Sequence, residues 1–258
     1  MPTRHSPPNS TPSQREQVSS LPAVLVTGAS GGIGRAISLA FGRAGWFVGL
    51  QYRRNKGSAE ATLQQIDRTG GAGSLYEGDV RNAQSVQQIV EAFCRQVAIP
   101  SVFVCNAGIG HGSLLMKQRA DDWAEVIATN LTGTFHCLRA MAPPLIAHGG
   151  GSIIVIGSRA GFHGSTGQAA YAASKAGLIG LVKTAAQEWG PHNICVNLLL
   201  PGWQQTGLTA GAMPEADGWH DHRLRRPPSI DEVAETVVHL AQLRGVSGQV
   251  WNCDSRDL

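Results

Sequence analysis

Tyr171 and Lys175 stand four residues apart in Tyr171-Ala172-Ala173-Ser174-Lys175, an alanine-rich run that should be helical, so both side chains leave one face. A phenol ordinarily ionises far above neutrality and is a poor acid or base at pH 7. An adjacent ammonium stabilises the phenolate and brings the group toward its working range. Lys175 supplies that ammonium, and the pair reads as a device for moving a proton. The spacing alone is common on helix surfaces, so it needs company. Ser158 closes the apolar run Ile154-Val155-Ile156-Gly157-Ser158 and puts a hydroxyl at the carboxyl end of a strand, the edge on which α/β sheets open their clefts.

A second constellation lies near the start. The apolar run Val24-Leu25-Val26 passes through Thr27-Gly28-Ala29-Ser30-Gly31-Gly32-Ile33-Gly34 into a helical segment. Gly28 permits a tight turn, Gly32 lets backbone N–H groups approach a pyrophosphate, and Gly34 allows close helix packing. The helix N-terminus that follows favours phosphate charge. The turn as a whole, Ser30 and Ile33 included, reads as a dinucleotide cradle. Where an acidic residue would bind the adenosine ribose of NAD, the chain has Gln51-Tyr52-Arg53-Arg54-Asn55. Arg53 and Arg54 can instead make charge-assisted contacts to a 2′-phosphate, so NADP(H) is the expected cofactor. Asp79 and Val80 are expected to face the adenine edge, and Asn106, Ala107 and Gly108 to follow the next strand at the cofactor cleft.

The elements that must position these groups show in the alternation of short Val, Ile and Leu-rich runs with longer segments of helical period. That pattern indicates an α/β, doubly wound parallel sheet with helices on both faces. Strands are expected at Ala23 to Thr27, Trp46 to Tyr52, Gly73 to Tyr76, Ser101 to Cys105, Ser152 to Ile156, Cys195 to Leu199 and Gln249 to Asn252. Helices are expected at Ile33 to Ala44, Ser58 to Thr69, Ala83 to Gln96, Asp121 to Ala147, Ala170 to Trp189 and Ile230 to Leu243. A chain of 258 residues, 42% hydrophobic, supports a single domain over residues 21–258. Residues 1–20, rich in Pro, Ser and Thr, read as a disordered tail. The aperiodic stretch from Pro201 to Pro228 reads as a substrate-covering loop.

The formal charge of +3 is scattered, which argues against nucleic acid or a membrane surface as partner. Cys94, Cys105, Cys137, Cys195 and Cys253 show no metal or redox spacing, so reduced thiols and no metal site are expected. Without a signal-peptide pattern or a long apolar span, a cytoplasmic location is expected.

Taken together these residues resemble the short-chain dehydrogenase/reductase family: TGASGGIG from Thr27, Asn106-Ala107-Gly108, Asn130 in Thr129-Asn130-Leu131-Thr132-Gly133, Ser158, Tyr171 with Lys175, and Pro201-Gly202. The resemblance runs from Leu21 to about Asn252 and implies a Rossmann-type domain assembled as a homodimer or homotetramer. It further implies that Ser158 orients a carbonyl, that Tyr171 is the acid, and that Lys175 also holds the nicotinamide ribose. Asn130 would anchor a water leading to Lys175, and Thr206 would contact the nicotinamide carboxamide. Within the family the chain is most similar to 3-oxoacyl-[acyl-carrier-protein] reductases, through Leu114-Leu115-Met116, Asp121-Asp122-Trp123 and the Tyr171 segment. That likeness implies a 3-oxoacyl thioester as substrate and an acyl carrier protein as partner. Another ketone, or a secondary alcohol, fits the same residues, and so less well does an NADP-sensing protein without catalysis. Gly149 and His192 stand where a carrier-binding base is expected. His111, His163 and His220 read as loop or packing residues, and Trp203 and Trp219 as packing. Arg223, Arg225 and Arg226 read either as a solvated hinge or as a contact for a phosphopantetheine or carboxylate group.

Overall fold

The computed structural model describes residues 21–97, 100–207, 209 and 219–258. The tail expected over residues 1–20 and positions 208 and 210–218 of the expected loop lie outside the described residues. Seven parallel strands form one sheet: β1 Ala23–Val26, β2 Phe47–Tyr52, β3 Ala72–Glu77, β4 Pro100–Cys105, β5 Gly151–Ile156, β6 Ile194–Leu200 and β7 Val250–Asn252. Their order across the sheet is β3-β2-β1-β4-β5-β6-β7. The chain reverses direction of travel between β1 and β4, and the carboxyl ends on either side of that point diverge to leave a crevice.

The helices are α1 Gly32–Arg43, α2 Lys56–Arg68, α3 Ala83–Gln96, α4 Ala120–Ile127, α5 Gly133–Ala147, α6 Ala160–His163, α7 Ala169–Trp189 and α8 Ile230–Gln242. Strand side chains alternate between the two faces of the sheet, and the core divides accordingly. Leu25, Phe103, Ile153 and Val155 pack with Phe93, Met141, Leu145 and Val182 of α3, α5 and α7. Val24, Val26, Val104 and Ile154 pack with Ile37, Phe41, Val237 and Leu240 of α1 and α8. Each such side chain removed from water contributes roughly 1.5–3 kcal/mol, which is why a sheet covered on both faces reads as near-continuous apolar runs.

Two expectations are refined. The single helix expected from Asp121 to Ala147 is continuous in path, but between α4 and α5 it widens into a π turn over Ala128–Thr132. The short α6 was not expected at all. Its Gly161 explains how it fits: a Cβ there would lie 2.7 Å from the Lys175 carbonyl carbon, so α6 rests directly on the backbone of α7. At the other end of the chain, Ser229 caps α8 in a reciprocal box with Glu232, each side chain satisfying the other's backbone N–H.

Candidate active site

At the amino end of α1 the glycine turn is built as a cradle. Gly28 (φ 64) and Gly32 (φ 54) adopt left-handed backbone. A Cβ on Gly34 would lie 2.3 Å from the Gly28 carbonyl oxygen, so only glycine lets the helix start this close to the turn. Thr27 Oγ1 accepts from the Asn106 and Ala107 N–H groups at 2.9 and 3.1 Å. The Asn106 amide donates back to the Thr27 and Gly28 carbonyls at 3.0 and 3.2 Å. Gln51, passed over in the sequence except as the absence of an acid, is a strut here. Its Oε1 accepts from the Gly28 N–H at 2.9 Å while its Nε2 donates to the Gly78 carbonyl at 2.6 Å, tying together the ends of β1, β2 and β3. Across the turn, Thr206 packs 3.1 Å from where a Gly32 side chain would begin.

Beside the cradle opens a cavity of about 240 Å³ lined by Ser30, Arg53, Arg54, Val80, Ala107 and Gly108, among others. Asp79 lines it too, but its carboxylate is already engaged. Arg81 donates to it through Nε at 2.9 Å and through Nη2 at 2.6 Å, and those bonds hold the carboxyl below its ordinary range. Arg53 approaches the same carboxylate at 3.8 Å, so the cavity that lacks an acid in the sequence motif borrows one from the next strand.

At the carboxyl ends of β4, β5 and β6 a second cavity, about 340 Å³, is lined by Ser158, Tyr171, Arg159, Gln168, Trp203 and Arg256, among others. The loop from Asn106 through Gly112 contributes to both cavities, so the two adjoin. Ser158 Oγ accepts from the Ala160 N–H at 3.2 Å, which opens α6 and fixes the hydroxyl. Lys175, 5% exposed, lies one turn beyond Tyr171; its Nζ donates to the Ile156 carbonyl at 2.7 Å and stands 5.6 Å from the Tyr171 ring centre. Burial pulls the lysine down to about 8, against a smaller upward pull from Cys105. The expectation that Lys175 lowers the phenol is therefore corrected. Burial raises Tyr171, and what opposes it is the hydrogen bond with Ser158, because the ammonium is turned to a backbone carbonyl and not to the phenol oxygen.

Asn130 occupies the π turn and is fully buried. Its Oδ1 accepts from the Ile109 N–H at 2.8 Å, and its Nδ2 donates to the Ile109 carbonyl at 2.9 Å and to Ser174 Oγ at 3.0 Å. Ser174 in turn donates to the Tyr171 carbonyl at 2.7 Å. The residue thus joins the loop between the two cavities to the helix carrying Tyr171 and Lys175.

The expected loop contributes Pro201, Gly202 and Trp203. Gly202 (φ 68) lies where a side chain would meet Pro228 and the Asp254 carboxylate, and Trp203, read from sequence as packing, lines the second cavity. Of the arginines read as hinge or ligand contact, Arg223 pairs with Asp257, Arg225 donates to the His220 carbonyl at 2.6 Å, and Arg226 lies 3.7 Å from Glu232. Arg223 thus ties the loop to the C-terminal segment, Arg225 braces the loop on itself, and Arg226 ties it to α8. His111 lines the second cavity but pairs with Glu125 at 3.2 Å; His163 and His220 are exposed. Sequence reasoning missed Gln51, Arg159, Gln168 and Arg256 because no motif marks them.

Comparison with known proteins agrees with this architecture. The short chain dehydrogenase family model matches residues 22–217. The 3-oxoacyl-[acyl-carrier-protein] reductase of Staphylococcus epidermidis is 35% identical over 234 residues, covering 88% of this chain and 95% of that one. The reductase of the same description from Synechocystis sp. is 36% identical over 233 residues, covering 89% and 94%. A solved structure assigned as a short-chain alcohol dehydrogenase from Sinorhizobium meliloti 1021 superposes with a TM-score of 0.85 at 28% identity, covering 91% of this chain and 95% of that one. With its parallel sheet, glycine turn and matched length, this chain belongs to the short-chain dehydrogenase/reductase family and is an oxidoreductase acting on CH–OH or C=O groups.

Proposed function

We propose that this protein reduces a ketone to a secondary alcohol with NADPH, the ketone being a 3-oxoacyl thioester. The observation that carries the proposal is that the Ser158 and Tyr171 hydroxyls line one cavity while Lys175 and Asn130 lie buried behind them. The substrate class rests on relatives described as 3-oxoacyl-[acyl-carrier-protein] reductases.

The cradle suits a dinucleotide because Gly28, Gly32 and Gly34 keep clear the space that side chains would fill. In this reading Gly28 to Gly34 hold the pyrophosphate and Arg53 and Arg54 the 2′-phosphate. Val80, Asn106, Ala107 and Gly108 line the nucleoside side; Pro201, Gly202 and Thr206 close over the nicotinamide end. When bound, the cofactor supplies hydride to the carbonyl carbon. Ser158 donates a hydrogen bond to the carbonyl oxygen and orients it. Tyr171, whose phenol burial raises and the Ser158 hydrogen bond lowers, gives its proton to the developing alkoxide, which is a stronger base than a phenolate. Lys175 contacts the ribose and, through water held near Asn130, restores the phenol's proton.

A homodimer or homotetramer is supported by exposed apolar side chains on neighbouring segments: Leu115 at 72%, Met116 at 88%, and Trp123 and Phe135 on α4 and α5 at 40% and 44%. The five free thiols suit a reducing compartment, and we place the protein in the cytoplasm. No helix among the described residues is long and apolar enough to cross a membrane.

The test is NADPH oxidation with coenzyme A 3-oxoacyl thioesters, quinones and simple ketones, for wild type and Tyr171→Phe. Turnover of the thioesters, lowered by about 10²- to 10⁴-fold in kcat in the variant, is expected. Near wild-type rates for Tyr171→Phe, with its fold verified by circular dichroism, would refute the mechanism.

A further inference from the structure

The described residues that line the 340 Å³ cavity include no carboxylate, but they include three side chains able to carry positive charge: His111, Arg159 and Arg256. Two of the three are matched by acids standing outside the cavity. His111 faces Glu125 at 3.2 Å. Arg256 donates through Nε to Asp254 at 2.9 Å and approaches Asp221 at 3.3 Å. Arg159 differs. Its one partner among the described residues is the backbone carbonyl of Asp257, which accepts from Nε at 3.0 Å. That bond leaves both terminal nitrogens of the guanidinium without a partner among the described residues.

Arg159 immediately follows Ser158, so its charge stands at the same wall as the hydroxyl that faces the ketone. A half-buried guanidinium whose charge is balanced by no acid among the described residues favours an anion more strongly than a solvated one does, because the surrounding low-dielectric wall weakens screening. The planar fork matches the two oxygens of a carboxylate, or two of a phosphate, in a way an ammonium cannot. We propose that the substrate carries an oxyanion in addition to its ketone, and that Arg159 is the residue that selects for it. The inference rests on the ketone-reducing reading of the cavity and narrows it. For a 3-oxoacyl thioester the anion would belong to the acyl part, since a phosphopantetheine phosphate lies a long arm away from the reacting carbonyl.

The experiment compares three ketones of equal length on the full chain: ethyl 3-oxohexanoate, the monoethyl ester of 3-oxohexanedioic acid, and the analogue with a terminal phosphonate. Binding is read by isothermal titration calorimetry with NADP⁺ present, so that no ketone is reduced, and turnover is followed separately with NADPH. Wild type should bind at least one anionic ketone about tenfold more tightly than the neutral one, and which of the two is favoured distinguishes a carboxylate site from a phosphate site. Arg159→Gln should abolish that preference while leaving the affinity for the neutral ketone within about twofold, and Arg159→Lys should retain part of it. Equal binding of neutral and anionic ketones by wild type, or a preference that survives in Arg159→Gln, would overturn the assignment. A retained binding preference without reduction of any ketone would count against the proposed reaction and leave the anion site standing.

Discussion

Lys175 sits at a conflict between position and charge. Burial pulls its ammonium from an ordinary 10.5 down to about 8, so the folded chain releases this proton over a range in which the unfolded chain still holds it. Below pH 8 both states are protonated and the full cost of enclosing the charge is present. Between about 8 and 10.5 the unfolded state binds more protons, so this group's contribution to stability rises with pH. Lys175→Met keeps the length and removes the charge. At neutral pH its effect combines relief of that cost with loss of the donor to the Ile156 carbonyl, and the lost donor is the same at every pH. The informative quantity is therefore the slope: relative to wild type, the variant should lose its advantage, or deepen its deficit, steadily as urea unfolding is repeated from pH 8 to 10.5. A difference that does not change with pH would mean the lysine is not enclosed in the way described. That Tyr171 and Ser158 share one cavity with Lys175 close behind was legible from residue types and spacing. The direction in which the ammonium points was not, because the Ile156 carbonyl that captures it belongs to a different element.

Strands and long helices were legible because their apolar periods are imposed by burial, and the two faces of the sheet sort consecutive strand residues into separate cores. What escaped depends on contacts between elements. Helix α6 exists because Gly161 admits it against α7, and the π turn carries no pattern of its own. A π turn inserts one extra residue per turn and shifts the register of side chains beyond it, and here it sets Asn130 inward between Ile109 and Ser174. Asn130→Ala would leave the half-buried Ile109 N–H and carbonyl and the buried Ser174 hydroxyl without the one amide that serves all three. We expect a loss of about 2–4 kcal/mol by urea unfolding, at about 1–3 kcal/mol for a buried group left unpaired and less where water can reach. Thr132→Ala, an exposed change in the same turn, should stay within about 0.5 kcal/mol and so separates the amide's role from the turn's own sensitivity.

On the scale of the whole molecule, the C-terminus is what joins the loop after β6 to the wall of the second cavity. Asp254 is buried, and Arg256 and His222 converge on it, His222 at 3.3 Å and only 1% exposed. Asp221 holds the other side of His222 at 2.8 Å and also faces Arg256. Farther out, Asp257 pairs with Arg223 at the surface, where both side chains are more than two-thirds exposed. These two fastenings should differ sharply in strength. A surface pair contributes about 0–1 kcal/mol, whereas removing one member of a buried set strands its partners and costs roughly 3–5 kcal/mol. Asp254→Ala is therefore expected to destabilise the protein by about 3 kcal/mol and Asp257→Ala by less than 1, both measured by chemical denaturation. The two should also part in their kinetics. Because Arg256 lines the second cavity, proposed above to take the substrate, and is held there by Asp254, Asp254→Ala should raise KM at concentrations and temperatures where the variant remains folded, while Asp257→Ala leaves KM close to wild type. Equal stability losses in the two variants would mean that the tail is held by its surface contacts, and an unchanged KM in folded Asp254→Ala would remove the C-terminus from the substrate wall.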